Sequence, residues 1–365
     1  MSRTGSRLFS RRAALIGGGY AAAIAPLGLA TERAFAANRA PGSVTADLFD
    51  PSDICRVAAP GAAADGPLRR VRLTWNANSI CTIAVPIAQQ KGFFAKHGLE
   101  VELINFGGST DALLEAIATG KADAGLGMAL RWLKPLEQGF DVKLVAGIHG
   151  GCLRLLTTGR SGLHTLADFR GKRIAVGDLA GAEKNFFSIA LGQLGIDPAK
   201  EVTWRQFPAD LLIEAVKRGE ADGAGFTDPL GYLIRERDSL VEVHTNLSDV
   251  YADRACCVLG IRGSLVRDER PVATALARSL LEAGMWGVHN VEEAAGIFSP
   301  NAPNRASNAM LADMLRSHTH HNQPIHAAFQ NQIRLYAEEL KTIGVFRPGT
   351  DPARYAQRVV TDVLV

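Results

Sequence analysis

Cysteine is scarce, with five in 365 residues, far below the density of small disulfide-stapled frameworks. Charge of one sign is scarce too. Forty Lys and Arg stand against 37 Asp and Glu, a net +3, so composition gives no support to a nucleic-acid-binding role. Disorder over most of the length is excluded, because hydrophobic residues make up 47% of the chain and net charge is low. Long apolar runs are missing as well. The uncharged stretch from Ala13 to Ala30 is rich in Ala and Gly and is interrupted by Gly17 to Gly19 and Pro26, which is too weak for a stable membrane span. What is left is the composition of a soluble globular protein with material for one large core or two modest ones.

The small positive charge is local. Arg3, Arg7, Arg11, Arg12 and Arg33 face only Glu32 within the first 36 residues, so this end alone carries +4 and the remainder is nearly neutral. Arg11-Arg12 precedes the weak apolar run, and Ala34-Phe35-Ala36 supplies small residues at a cleavage site. This order resembles a twin-arginine export signal over residues 1–36, which implies a periplasmic mature protein. Residues 37–68 are rich in Ala, Pro, Gly and Asp and read as an extended arm.

From Val71 onward strands and helices alternate. Val71–Trp75, Val101–Phe106, Ala124–Met128 and Val142–Ile148 read as strands. Between them, Ile83–Phe94, Ala112–Thr119 and Arg131–Gln138 read as helices. Such alternation predicts α/β layers with a largely parallel sheet. An internal echo sharpens the expectation. Asp111 to Asp123 (DALLEAIATGKAD) returns as Asp210 to Asp222 (DLLIEAVKRGEAD) at a constant offset of 99, too long for a solenoid and suited to two similar lobes. Cys152–Thr158 and Ala255–Ile261 read as strands that cross between the lobes, and helices follow Pro271. The expected organisation is lobe 1 over 69–157, lobe 2 over 158–252, and a return to lobe 1 with C-terminal helices over 253–365. A ligand would sit in the cleft, near strand C-termini and helix N-termini.

Several short motifs support a family resemblance. Ala88-Gln89-Gln90-Lys91-Gly92-Phe93-Phe94, Gly98-Leu99-Glu100-Val101-Glu102, Gly107-Gly108-Ser109-Thr110, Gly120-Lys121-Ala122-Asp123, Leu166 to Val176, Gly219-Glu220-Ala221-Asp222 and Thr227-Asp228-Pro229 together resemble the nitrate/taurine/sulfonate class of ABC-importer solute-binding proteins, over about residues 70–345. The resemblance implies a type II periplasmic binding protein fold, two α/β lobes joined by two crossing strands. It also implies delivery of a small solute to a membrane permease and its ATPase. The second-lobe turn departs from the class: Gly177 to Glu183 carries an acid at each side, Asp178 and Glu183, where many relatives bind an anionic head group.

The candidate ligand residues sit at helix starts. Gly108, Ser109 and Thr110 precede the helix near Ala112, where free amides and hydroxyls converge, although the same residues are good helix caps. Asn78 and Ser79 follow the first strand; Met128 and Ala129 follow the third. Gly181 and Ala182 open the first helix of lobe two. Asp228 either meets a ligand donor or caps the helix starting at Pro229. His149 is a cleft hydrogen-bonding candidate or a structural histidine. Arg131 and Lys184 stand near the expected cleft as partners for an anion, or as solvated helix residues.

Cys152 and Cys256 or Cys257 fall on the two crossing strands, so a disulfide there is compatible with the pattern, as are buried thiols. His318, His320, His321 and His326 lack structural-zinc spacing, and no metal or cofactor is expected. No nucleophile elbow, P-loop or catalytic triad is present. The reading is therefore a monomeric receptor and not an enzyme. The alternatives are an enzyme on the same scaffold, similar to a thiamine-pyrimidine synthase, and an exported sensor module.

Overall fold

The computed structural model describes residues 67–106, 110–303 and 306–365. The basic leader, most of the 37–68 arm, Cys55, and Gly108 and Ser109 of the first-lobe loop lie outside these residues. Among the described residues no helix is long and apolar enough to cross a membrane.

Two five-stranded sheets form the frame. The first contains β1 (Arg69–Trp75), β2 (Leu99–Asn105), β3 (Ala124–Met128), β4 (Val142–His149) and β10 (Cys257–Arg262), in the order β2-β1-β3-β10-β4. The second contains β5 (Leu153–Thr157), β6 (Arg173–Val176), β7 (Thr203–Gln206), β8 (Gly223–Thr227) and β9 (Val241–Thr245), in the order β7-β6-β8-β5-β9. In each, the strand in the fourth place, β10 or β5, runs antiparallel to its neighbours while the first three are parallel. The sequence echo thus becomes a structural one.

The physical basis of that echo is local. Asp123 and Asp222 follow the repeated helices, and each fastens the strand beside it. The Asp123 carboxylate accepts from the Arg72 amide at 2.9 Å and the Asp222 carboxylate from the Arg173 amide at 2.8 Å. The guanidiniums of Arg72 and Arg173 reach the carbonyls of Gly120 and Gly219, both at 2.8 Å. Those glycines end the helices at φ of 76° and 71°, the left-handed region that favours glycine.

The first-lobe helices are α1 (Ala84–Gln90), α2 (Phe93–Lys96), α3 (Thr110–Ala118) and α4 (Ala129–Glu137). The helix expected over Ile83–Phe94 is two helices, because Gly92 turns left-handed at φ 76° and redirects the chain before Phe93 and Phe94 enter the core. Gly127 on β3 is a packing requirement: a Cβ there would stand 2.1 Å from the buried Trp132 ring of α4.

The second lobe adds α5 (Ala182–Gln193), α6 (Leu212–Lys217) and α7 (Leu230–Asp238). After β10 come α8 (Gly263–Asp268), α9 (Arg270–His289), α10 (Val291–Phe298), α11 (Asn308–Ser317), α12 (His326–Thr342) and α13 (Pro352–Val359). α9 covers α1 and α2, while α12 packs against both α4 and α5. The described residues fall in one compact unit, and the main apolar core runs through both lobes.

The first crossing falls at Gly150-Gly151-Cys152, ahead of the expected 157/158 boundary. β5 pairs with β8 and β9, so residues 153–157 belong to the second sheet. The chain returns between β9 and β10. Asn246 holds the two crossings together: its buried side-chain oxygen accepts from the Cys152 amide at 2.8 Å and the Leu153 amide at 2.7 Å. The Cys256 amide donates to the His149 carbonyl at 2.8 Å.

Candidate functional site

The parallel strands of both sheets end on one cavity. β1 and β3 finish at Trp75 and Met128; β6 and β8 finish at Val176 and Thr227. The turns beyond them enclose about 450 Å³, a volume suited to a small solute. Asn76 shapes the first turn, accepting from the Asn78 and Ser79 amides at 3.1 Å. Asn78, Ser79, Met128, Gly181, Ala182 and Asp228 all line the cavity, so six of the sequence-predicted residues are brought together.

The others are placed differently. Ala129 is fully buried, and its amide donates to the Cys256 carbonyl at 2.8 Å; it packs under the cavity floor. His149 is also not in the lining. It is 1% exposed and faces thiols and other imidazoles. Thr110 opens α3, whereas Gly108 and Ser109 lie outside the described residues.

Charge distinguishes this cavity. Arg131 from α4 pairs with Asp111 and reaches across to Asp178 of the second lobe at 3.2 Å. Glu183 stands in the first turn of α5. Burial, and less strongly the nearby Asp178, push its carboxyl up to about 7. The carboxyl also takes its own backbone amide, and it stands so close that a Cβ on Gly181 would meet Oε2 at 2.8 Å. A helix N-terminus is a natural anion position; here a side-chain acid already occupies it. Lys184 points elsewhere, over the Trp204 ring.

Asp228 lines the cavity with its oxygens already engaged. Arg154 Nε donates to both at 2.9 Å, the Tyr232 amide donates to Oδ1 at 2.8 Å, and His318 Nε2 lies 2.7 Å from Oδ2. The aspartate therefore caps the first turn of α7 and anchors a buried ionic network. Burial alone would raise its pKa, but His318 and Arg154 outweigh that and hold it below the ordinary carboxylate value. Burial lowers the His318 pKa more than Asp228 raises it.

Behind the cavity, at the crossings, Cys81, Cys152, Cys256 and Cys257 meet as free buried thiols. Cys81 Sγ lies 2.8 Å from Cys152 Sγ, and Cys152 Sγ lies 3.7 Å from Cys256 Sγ. His149 stands among them, with His318 and His320 on its other side. Sequence reasoning set Cys152 beside Cys256 or Cys257 on the crossing strands, but it did not bring Cys81 or His149 to them, nor predict the partners Arg154 and Asn246. A signal existed: both expected crossing strands carried cysteines, and Cys81 follows the first strand end, so all map to one end of the sheets.

The fold, with its interlobe cavity, is the one found in solved periplasmic binding proteins. The chain superposes on the periplasmic aliphatic sulphonate binding protein SsuA from Escherichia coli with a TM-score of 0.66 and 14% identity, covering 79% of this chain and 91% of that one. It superposes equally on the periplasmic nitrate-binding protein NrtA from Synechocystis PCC 6803, with a TM-score of 0.66 and 16% identity, over 81% and 87% of the two chains. Residues 81–248 match the model of the family described as NMT1/THI5 like. By sequence, the chain is 27% identical over 240 residues to the nitrate import ATP-binding protein NrtC of Synechococcus elongatus, covering 61% of this chain and 36% of that protein. It is 26% identical over 214 residues to a protein of Brucella abortus named as a binding protein, covering 58% and 65%. The chain thus spans just over a third of the first relative and just under two thirds of the second.

Proposed function

We propose that this protein is the periplasmic solute-binding component of an ABC importer. It captures a small solute between its lobes and passes it to a membrane permease and ATPase, without chemistry on the solute. One observation carries this reading: a cavity of about 450 Å³ between the strand C-termini of two similar sheets, spanned by the ion pair from Arg131 to Asp178. Solute that binds the closed form better shifts the lobes toward it. Asn78, Ser79, Met128, Gly181 and Ala182 are the proposed contacts, and Asp228 supports the wall from behind through Arg154. The lobes of this reading meet at the Gly150–Cys152 crossing and at the return before Cys257. The export signal over residues 1–36 delivers the chain to the periplasm.

The solute is a cation or a neutral hydrogen-bond donor such as an amine or nitrogen heterocycle. Among the described cavity residues, Asp111, Asp178 and Glu183 surround the single guanidinium of Arg131, and both Asp111 and Asp178 already engage it. Glu183 occupies the helix N-terminus that an anion would need. A bare nitrate or sulfonate would therefore meet carboxylates before it met free positive charge.

The test is a thermal-shift and calorimetric screen of amines, pyrimidines, nitrate and alkanesulfonates on the purified protein. A true solute at about 100 times its Kd adds roughly 2.7 kcal/mol of stability. Binding of an amine or heterocycle without consumption supports the proposal. Tight binding of nitrate or a sulfonate overturns the solute class, and turnover of a bound compound overturns the carrier role.

A further inference from the structure

Four thiols and an imidazole converge at the hinge, and the solute reading uses none of them. Cys81 comes from the short turn after β1, His149 and Cys152 flank the first crossing, and Cys256 and Cys257 end the second. The donor atoms of Cys81, His149 and Cys257 all lie within 4.8 Å of one another, with Cys152 Sγ in contact with Cys81 Sγ. Neither ring nitrogen of the fully buried His149 makes a hydrogen bond of ordinary geometry. Buried polar atoms rarely stay unpaired, so an imidazole that faces the Cys81 thiol without a well-formed bond is placed to serve as a ligand.

We propose that Cys81, His149, Cys152 and Cys257 hold one thiophilic d¹⁰ cation, zinc(II) or copper(I). The donor set is soft, which selects these ions over magnesium or calcium. The spacing is within reach of a small adjustment: a tetrahedral ion with metal–sulfur bonds of about 2.3 Å sets neighbouring sulfurs about 3.8 Å apart. The donor atoms of Cys81, His149 and Cys257 lie within 4.8 Å of one another, and Cys81 and Cys152 Sγ, 2.8 Å apart, would part by about 1 Å on binding. Two thiolates and a neutral imidazole balance a divalent charge, with Cys152 completing the coordination and Cys256 standing beside it.

A row of histidines leads toward the site. A second cavity of about 200 Å³ is lined by His318, His320 and His321. Exposure falls from the exposed His321 to the half-buried His320 in its lining, and the buried His149 lies behind it, its ring centroid 4.2 Å from that of His320. Imidazoles graded in this way would pass an ion inward to the thiols. Once seated, the ion would tie both crossings to the first lobe and stiffen the hinge.

The experiment uses full-length protein purified and reduced under anaerobic conditions. Zinc(II) is added in one arm and copper(I) in the other, followed by native mass spectrometry and competition with a chromophoric chelator. The expected result is one ion per chain in at least one arm, together with protection of Cys81, Cys152 and Cys257 from alkylation. The double variant Cys81→Ser/Cys257→Ser should weaken binding by at least about 100-fold, beyond the loss that outer-shell changes cause. His149→Gln should weaken it by about 10-fold or more, while His321→Ala should slow uptake and leave the affinity intact. Should the serine variants fail to fold, the alkylation pattern of the wild-type protein decides. Sub-stoichiometric binding in both arms, no thiol protection, or unchanged affinity in the double variant overturns the proposal. So does a Cys81–Cys152 disulfide in protein recovered from the periplasm.

Discussion

Arg154 is 2% exposed and sits on the central strand that links β8 to β9. Replacing it with Met keeps most of the volume and removes the charge. The guanidinium makes two charge-assisted bonds to Asp228 at 2.9 Å and a third to Glu242, and it lies 5.4 Å from the Tyr232 ring centre. Glu242 is partly exposed and retains Arg235 at 2.8 Å, so its loss is small. Asp228 is fully buried and keeps only His318 and the Tyr232 amide. Removing one partner of a buried ion pair costs about 3–5 kcal/mol, because the remaining charge is stranded. The lower end applies here, since Asp228 can take up a proton. That escape fixes the pH dependence. In the native protein Asp228 has a depressed pKa, so its contribution is present above the ordinary carboxylate range and fades as pH falls through the folded value. Without Arg154 one of the two groups that hold the carboxyl down is lost, so its folded pKa rises from the native one and the deficit shrinks as pH falls. The deficit of Arg154→Met should therefore be about 3 kcal/mol at pH 8 and clearly smaller at pH 5. Urea unfolding followed by tryptophan fluorescence measures it. A deficit below about 1 kcal/mol at pH 8, or one that grows on acidification, would refute the network as described.

Two further outcomes are expected. Glu183 has its pKa raised to about 7, so the native fold gains from its protonated form at low pH and loses that gain as pH rises through 7. Glu183→Gln should flatten the stability–pH profile between pH 5 and 8 by at most about 3 kcal/mol; an unchanged slope by differential scanning fluorimetry would remove Glu183 as the source. Gly127→Ala places a methyl against the Trp132 ring and should cost about 1–3 kcal/mol or more through overpacking. Calorimetry showing no loss of Tm would mean that Trp132 moves aside freely.

Much of the frame was legible in the sequence because it is built from short-range rules. The strand Ala124–Met128 was bounded correctly, since it is a short apolar run between turn residues. The repeated Gly-x-Ala-Asp ending signalled two lobes, because each copy closes a helix with a left-handed glycine and pins a strand with an aspartate. The Ile83–Phe94 helix was overextended: apolar periodicity continues through Gly92, although that residue turns the backbone. Asp228 was read as either a ligand contact or a helix cap. Its partner Arg154 lies 74 residues away, and no local pattern shows such a pairing.

The sequence by itself determined the two-lobed α/β layering, the placement of loops at strand ends, and six residues that line the cavity, because these follow from periodicity and from where a chain must turn. Tertiary structure alone decided the rest: the β5 exchange that moves the crossing to Gly150–Cys152, the acid-rich character of the cavity, and the meeting of Cys81, His149, Cys152 and Cys257. Side chains from positions tens to hundreds of residues apart meet only when the sheets pack, and their charge and metal-binding chemistry exist only once they do.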